Sequence, residues 1–332
     1  MSQLSVIVPS YNSQSFIACC LKAIRDSTYK DYTLIVIDCG SKDDSVSIAK
    51  QFSDIVVELS NNPNRNFARR KGLEISKSPI IVNIDSDVII SSDTLLKIHN
   101  YFSQHPEIDA LTGMLSKNHP NGNFYSQYKN LYMYYHFINL PEKITFLYGS
   151  IYAIRKEATT SFFCNSILAD DTALGQNLFI SGKKMAFLKE LEVIHLKKYS
   201  LLSLVKNDFR IPFDWAKIFL YFKGWKQLGK NKTGFAHASM AQIISILLSF
   251  IIVSFFIFNI FFSSFFSILI FTLLIWILLN VNFLLFLFQE KGVIFTTLAF
   301  FFTFFDNIIM GLGIFSGFID FYRKIDKVQK LN

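Results

Sequence analysis

The sequence is poor in cysteine and lacks the glycine motifs of the common nucleotide-binding folds. Its 332 residues include four cysteines, and none of them stands in CxxC spacing or beside a histidine cluster. This argues against a zinc site or a disulfide framework and favours idle thiols in a reducing compartment. Neither GxGxxG nor GxxxxGK[ST] occurs, so dinucleotide-binding and P-loop motifs are excluded.

The N-terminus also lacks the pattern of a secretory signal, because no basic lead with a long apolar run is present in residues 1–10. We therefore expect the front of the chain to stay in the cytoplasm.

Acidic residues are scarce between residues 195 and 232, where nine lysines and arginines against two aspartates give +7 of the chain's net +8. Such clusters before an apolar segment are typical of a cytoplasmic juxtamembrane region. The interleaved aromatic rings favour an interfacial helix over nucleic-acid binding.

Apolar residues make up 51% of the chain, and their excess is confined to residues 240–321. Three segments there, 240–262, 265–288 and 293–318, each exceed the roughly 20 residues that cross a bilayer. Asp306 is costly in lipid unless it faces a cavity or a partner. The number of spans stays open. Three full spans place the basic tail outside, against the positive-inside tendency, whereas two spans with a re-entrant piece, or four short ones, keep it inside.

These features predict four regions in an integral membrane protein. They are a cytoplasmic catalytic domain at 1–198, basic amphipathic juxtamembrane helices at 199–235, the transmembrane region at 240–321 and a basic tail at 322–332. The aromatic-rich stretch 123–138 is expected to pack in a core or against the membrane, with an acceptor groove as the alternative.

Strand-like and helix-like stretches alternate through the first 90 residues, which predicts βαβ units and a parallel sheet. Ligands of such sheets bind beyond the carboxyl ends of the strands, where the loops 9–12, 38–41 and 85–87 fall. Asp85 and Asp87 follow a buried strand as next-but-one residues, so they can share one face and favour a cation between them. Mg²⁺ or Mn²⁺ suits such carboxylates. The alternative is a solvated turn that closes the strand.

Four ordered blocks resemble the family 2 glycosyltransferases. The blocks are LSVIVPSYN at 4–12, IVIDCGSKDDS at 35–45, NFARRKGLEIS at 66–76 and IIVNIDSDV at 80–88. The resemblance implies the GT-A fold, an α/β, Rossmann-like and mostly parallel sheet with helices on both faces, here followed by interfacial and transmembrane helices. It also implies roles for individual residues: Pro9, Tyr11 and Asp38 at the nucleoside, Arg69 and Asp85 at the donor, and Asp85 with Asp87 at the metal. Cys39 and Arg70 depart from the family pattern and leave the donor open.

Two later stretches are similar to further blocks of that family. Gly149 in LYGSIYA matches a glycine whose missing side chain leaves room for the donor sugar. Asp170 and Asp171 match an acidic pair whose second member is the catalytic base, although acids at a helix start need no function. Inverting transfer needs a carboxylate that takes the acceptor's proton while a metal neutralises the leaving diphosphate. With an already ionised phosphate acceptor, Asp171 would chiefly orient the nucleophile.

Two further candidates lie near the end of the predicted catalytic domain. His195 occupies a metal or diphosphate position of some relatives, with a structural histidine as the alternative. Arg210 could reach the donor diphosphate. The QxxRW motif of processive members is not met, because glutamine is absent and Arg210 precedes Trp215 by five residues. Processive synthesis is therefore disfavoured.

The sequence thus predicts an inverting transferase that moves one sugar from a UDP- or GDP-linked donor to a membrane lipid during synthesis of cell envelope glycans. The expected acceptor is a polyprenyl phosphate, as in dolichol-phosphate mannose synthases, or a lipid-linked saccharide. The alternatives are a processive polysaccharide synthase and a transferase with a soluble acceptor and a passive anchor. A nucleotide sensor without catalysis and a transporter fit less well. The sugar, the nucleotide, the lipid and the oligomeric state stay open.

Overall fold

The computed structural model describes residues 2–60, 65–159, 171–226, 235–261 and 266–329. Asp170, the first member of the predicted acidic pair, lies outside these ranges. The chain divides into two compact units. A sheet unit comprises residues 1–122 and 140–198, and a helical unit comprises residues 123–139 and 199–332.

The sheet unit is built on eight strands within the described residues. They are β1 (Leu4–Ser10), β2 (Tyr32–Asp38), β3 (Ile55–Glu58), β4 (Ile80–Ile84), β5 (Val88–Ile90), β6 (Ala110–Leu115), β7 (Ile151–Arg155) and β8 (Met185–His195). Their order is β3-β2-β1-β4-β7-β6-β8-β5. The first four are mutually parallel, and β6 pairs in parallel with β8. The antiparallel strands are β7, between β4 and β6, and β5, on β8.

Helices connect the strands of this unit, and the first three of them link the parallel strands β1 to β4, as the alternating pattern predicts. They are α1 (Ile17–Arg25), α2 (Ser45–Phe52), α3 (Arg65–Ile75), α4 (Thr94–Gln104) and α6 (Asp171–Ile180). All seven residues of β1 and all five of β4 are buried. This fits their β-branched, unpatterned sequences, because a central strand of a parallel sheet is covered on both faces. The predicted α/β fold with a mostly parallel sheet is confirmed.

In the sequence, the stretches 185–188 and 193–195 predict two short strands at the end of the sheet. The structure has one strand, β8, that carries a bulge. Thr112 of β6 pairs with Phe187, but Met114 pairs with Glu192. Gly113 makes room for the extra residues, because a Cβ there would stand 2.1 Å from the backbone oxygen of Leu191. Only glycine therefore allows the bulged segment to lie against β6 at this point.

The helical unit contains α5 (Phe124–Ile138), α7 (Leu201–Tyr221), α8 (Met240–Phe261) and α9 (Phe266–Gln329). Gly292 interrupts α9 with φ 76°, in the left-handed region. The ring of Trp276 lies 5.4 Å from that of Phe304, whereas 28 residues of straight helix would separate them by about 42 Å. Thus α9 is a hairpin of a first arm, residues 266–291, and a second arm, residues 293–329.

Two stretches of the described residues are long and apolar enough to cross a membrane. They are Met240–Phe261, with a mean hydropathy of 2.7, and Phe266–Lys324, with 2.5. The second stretch contains both arms of α9. Ser245 of α8 accepts hydrogen bonds from Asn280 of the first arm at 2.7 Å and Asn307 of the second at 2.9 Å. This polar node joins the three apolar helices, a common device where helices pack in lipid.

Helix α7 packs directly on the second arm of α9. A Cβ on Gly313 would stand 2.3 Å from the backbone oxygen of Phe209, and one on Gly317 would stand 2.3 Å from that of Phe213. Small residues four apart allow two helix backbones to approach this closely. The aromatic-rich stretch 123–138 contains helix α5, which belongs to the helical unit.

Candidate active site

The loop after β2 is shaped by Asp38. Its Oδ1 accepts hydrogen bonds from the backbone nitrogens of Gly40 and Ser41, at 2.9 and 2.7 Å, and its Oδ2 accepts one from the Ser41 hydroxyl. Gly40 has φ 84°, a conformation that favours glycine. Pro9 is buried in β1, opposite Ile37. The side chain of Tyr11, just beyond the end of β1, is exposed.

Asp85 directly follows β4 and contacts two arginines of α3. Its Oδ1 lies 2.8 Å from Nη2 of Arg69 and its Oδ2 lies 3.7 Å from Nη1 of Arg65. Arg69 is only 7% exposed. Burial alone would lower the pKa of Arg69, but the Asp85 carboxylate outweighs this and raises it. Arg69 is therefore a fixed buried cation, and Arg65, one helical turn earlier, is an exposed one.

Asp87 contacts a different partner, His195. The antiparallel pairing of Val88 with His195 and a 2.8 Å hydrogen bond from Leu196 N to Asp87 O bring the two side chains together. Nε2 of His195 lies 3.4 Å from Oδ2 of Asp87. Burial alone would raise the pKa of Asp87, but His195 and Lys197 outweigh it and lower the pKa to about 2. The carboxylate is thus ionised at neutral pH.

The Asp85-Ser86-Asp87 segment is a turn, closed by a 3.3 Å hydrogen bond from Val88 N to Asp85 O. It directs the two carboxylates to the different partners just described. Among the described residues, no three His, Cys, Asp or Glu side chains are close enough to enclose a metal ion. Asp87 and His195 nevertheless offer a carboxylate oxygen and an imidazole nitrogen side by side. This donor pair fits a divalent cation whose other positions are filled by water and substrate phosphates, as is usual for Mg²⁺.

Asp171, the first residue of α6, also lies close to Arg69. An added Cβ on Gly149 would stand 2.5 Å from Oδ2 of Asp171 and 2.7 Å from Nη2 of Arg69. The missing side chain therefore lets these two groups approach the backbone of Gly149, and room for the donor sugar at this glycine stays a prediction. Burial raises the pKa of Asp171, although Arg69 and Arg65 act against the rise.

Arg69 is the centre of this cluster. Its Nη2 also donates to the backbone oxygen of Gly149 at 3.2 Å, and that oxygen accepts a second hydrogen bond from Asn83 at 3.1 Å. The guanidinium carbon lies 5.9 Å from the centre of the Tyr152 ring. The arrangement fixes one cation beside two carboxylates, Asp85 and Asp171, that come from distant parts of the chain.

Arg210 belongs to the other compact unit. It lies on α7 of the helical unit, where its exposed side chain is 3.9 Å from Asp214. Its proposed contact with a donor stays a prediction, as does the role of Asp170.

Three residues near the cluster were not predicted from the sequence. Arg65 shares a helix face with Arg69, and that spacing of four could have indicated it. Lys197 acts on the Asp87 carboxylate. Nδ1 of His119 accepts a hydrogen bond from Asn121 N at 3.1 Å, so its Nε2 carries the proton and donates to the Lys197 oxygen at 3.2 Å. No sequence signal links residue 119 to residue 197.

Residues 5–163 match the sequence profile described as Glycosyl transferase family 2. The glycosyltransferase GlyA of Streptococcus pneumoniae serotype 4 is 26% identical over 218 residues, covering 60% of this chain and 31% of GlyA. The O-antigen chain rhamnosyltransferase RfbN of Salmonella typhimurium is 26% identical over 226 residues, covering 64% of this chain and 71% of RfbN. The chain therefore spans less than a third of one of these relatives and over two thirds of the other.

A solved structure extends the likeness to nearly the whole chain. The mannosyltransferase PcManGT from Pyrobaculum calidifontis, in complex with GDP-Man and Mn²⁺, superposes with a TM-score of 0.59. The match covers 97% of this chain and 87% of PcManGT at 14% sequence identity. At that identity the likeness supports the fold, and the predicted GT-A, Rossmann-like class is confirmed.

Proposed function

We propose, from the family 2 glycosyltransferase domain that residues 5–163 form, that this protein transfers one sugar from a nucleoside-diphosphate donor to a membrane lipid. The reaction inverts the anomeric carbon and serves the synthesis of a cell envelope glycan. RfbN, by its name, acts on such a glycan. The donor carries UDP or GDP, and the acceptor is a polyprenyl phosphate or a lipid-linked saccharide.

The observation that carries this proposal is the position of Arg69 beside both Asp85 and Asp171. Transfer needs a positive site for the leaving diphosphate and a separate carboxylate for the acceptor, on either side of the sugar. Nη2 of Arg69 contacts the Asp85 carboxylate at 2.8 Å and adjoins that of Asp171. A carboxylate that only closes a surface turn, or one that only complements a helix macrodipole, would not require this buried contact with an arginine.

The donor occupies the carboxyl ends of β1, β2 and β4. Asp38 shapes the nucleoside loop together with Pro9 and Tyr11, while Arg65, Arg69 and Lys197 balance the charge of the diphosphate. Asp87 and His195 hold Mg²⁺ or Mn²⁺, with Asp85 as a further candidate ligand. When bound, the cation neutralises charge on the departing diphosphate.

Asp171 acts on the acceptor. The acceptor oxygen forms a bond to the anomeric carbon while the bond from that carbon to the diphosphate breaks. With a hydroxyl acceptor, the Asp171 carboxylate takes the proton. With an ionised phosphate acceptor, Asp171 orients the nucleophile and no proton moves.

The apolar helices support a lipid acceptor. Anchored by α8 and the arms of α9, the domain meets its acceptor at the cytoplasmic membrane surface, where a lipid is concentrated. An anchor alone specifies no substrate, so a soluble acceptor is the alternative outcome.

The experiment is reconstitution of the full chain with radiolabelled UDP- and GDP-sugars and a panel of acceptors. The panel contains polyprenyl phosphate, a lipid-linked saccharide and soluble oligosaccharides. We expect the radiolabelled sugar to appear in the organic phase, where the lipid acceptors partition. This product should be lost when divalent metal is chelated, and it should be absent with the Asp171→Asn variant. Label in soluble products alone would establish a passive anchor, and long polymer would establish a processive synthase.

A further inference from the structure

Helices α5 and α7 pack against one face of the second arm of α9. This face is formed by Thr303, Asp306, Met310, Gly313 and Gly317, which follow one another at intervals of three or four residues. The Tyr128 hydroxyl lies 3.1 Å from that of Thr303, and the Tyr132 hydroxyl lies 3.9 Å from the Met310 sulfur. The backbones of Phe209 and Phe213 cover the two glycines. Asp306 therefore faces the junction of α5 and α7.

That junction holds an ion pair. Nζ of Lys129 on α5 lies 2.5 Å from Oδ1 of Asp208 on α7; the Asp208 side chain is buried, and that of Lys129 is 12% exposed. Asp306 interacts with Asp208, Lys129 and Tyr128, and it is 1% exposed. Oδ2 of Asp208 and Oδ2 of Asp306 are buried and have no hydrogen-bond partner. Each of these two interacting carboxyl groups thus has one acceptor oxygen without a donor, although Tyr128 forms a hydrogen bond with the Asp306 carboxyl group.

The charges around Asp306 do not balance. Helix α5 contributes Lys129 and the neutral phenols of Tyr128 and Tyr132, and α7 contributes Asp208. From α8, Gln242 donates to the Tyr132 hydroxyl, and Ser245 accepts from Asn280 of the first arm, so these neighbouring polar groups are uncharged. Two histidines also face Lys129: burial lowers the pKa of His136 to about 4 and that of His237 well below its usual value, so both are neutral. Among the described residues, one cation therefore faces two carboxyl groups.

An unbalanced buried charge is costly, and so is an orphaned buried acceptor. One added proton removes both deficits, since it leaves one carboxylate against one ammonium and supplies a donor between the two carboxyl oxygens. We propose that Asp208 and Asp306 bind one proton between them, forming a carboxyl–carboxylate pair that joins α5, α7 and the second arm of α9.

The proposal has a defined pH dependence. The folded pair holds a proton that the unfolded carboxyls release near pH 4, so stability falls as pH rises above that value. For one proton the unfolding equilibrium constant changes by up to tenfold per pH unit. The proton is thus a ligand of the helical unit, independent of any sugar transfer.

The test uses the full chain in detergent and the variants Asp306→Asn and Asp208→Asn. An amide is neutral like a carboxyl group and has a similar shape, so each variant should restore the charge balance with Lys129. Asp214→Asn on α7 is the matched control, because Asp214 is partly exposed and paired with Lys217 at 2.8 Å. The measurements are the thermal unfolding midpoint from about pH 6 to about pH 9 and the infrared carbonyl band of a protonated carboxyl at neutral pH.

We expect the wild-type and Asp214→Asn midpoints to fall with rising pH. Asp306→Asn and Asp208→Asn should lose much of that slope and unfold at a higher temperature than wild type at the alkaline end. The infrared band should be present in wild type and absent in Asp306→Asn. A missing band in wild type, or an equal slope in all four proteins, would overturn the proposal. So would stabilisation by NaCl but not by choline chloride at equal ionic strength, because the site would then hold a metal cation. None of these readouts depends on transfer activity.

Discussion

Replacing Gly149 by alanine tests whether Asp171 and Arg69 must share one small space. The new methyl group would stand 2.5 Å from Oδ2 of Asp171, whereas tolerable contacts begin at 3.0–3.4 Å. The carboxylate must therefore withdraw by 0.5–0.9 Å, or Arg69, at 2.7 Å, must shift as well. A misplacement of about 1 Å costs about 100-fold in rate, so turnover should fall by about 10- to 100-fold.

The assay compares turnover with binding in the same preparations. Single-turnover transfer gives the chemical step, and calorimetry gives the affinity for UDP or GDP, which should change much less. Gly122→Ala is the matched control, because a Cβ at that position meets no atom within 4 Å. Wild-type turnover in Gly149→Ala would refute the idea that the base and the arginine are positioned by this glycine.

Three further predictions concern other contacts. Because burial raises the pKa of Asp171 and a base must be deprotonated, transfer to a hydroxyl acceptor should rise with pH through an apparent pKa above the ordinary carboxyl value of about 3.9. A rate independent of pH would contradict this. His119→Ala should weaken Mn²⁺ binding by about 10- to 100-fold in paramagnetic-resonance titrations, with partial rescue in His119→Gln, since the ring holds the segment after His195. Gly313→Ala should destabilise the helical unit by about 1–3 kcal/mol in denaturant unfolding, unlike Gly122→Ala.

Local sequence predicted the strand ends of the sheet unit well. The runs that lead into Asp38 and Asp85 are β-branched and apolar, and they form parallel neighbours of β1 as the pattern requires. The loops that follow therefore meet at one edge. The resemblance to the family then picked out Arg69 and Asp171, whose 102-residue separation no periodicity could bridge.

Other features depend on pairings between distant segments. The insertion of β7 between β4 and β6 and the bulge of β8 over Gly113 follow from register, which local patterns do not encode. The aromatic run of α5 reads as a core helix, but its partners lie far along the chain, with Thr303 175 residues after Tyr128. The link from His119 to Lys197 likewise spans 78 residues.

The central claim is that the metal carboxylate, Asp87, and the acceptor carboxylate, Asp171, are separate groups with separate tasks. The most direct measurement is the Mn²⁺-dependent gain in nucleoside-diphosphate affinity, by calorimetry, for wild type, Asp87→Asn and Asp171→Asn. We predict that Asp87→Asn loses this gain while Asp171→Asn retains it and yet fails to transfer sugar. An unchanged gain in Asp87→Asn, or its loss in Asp171→Asn, would contradict the account.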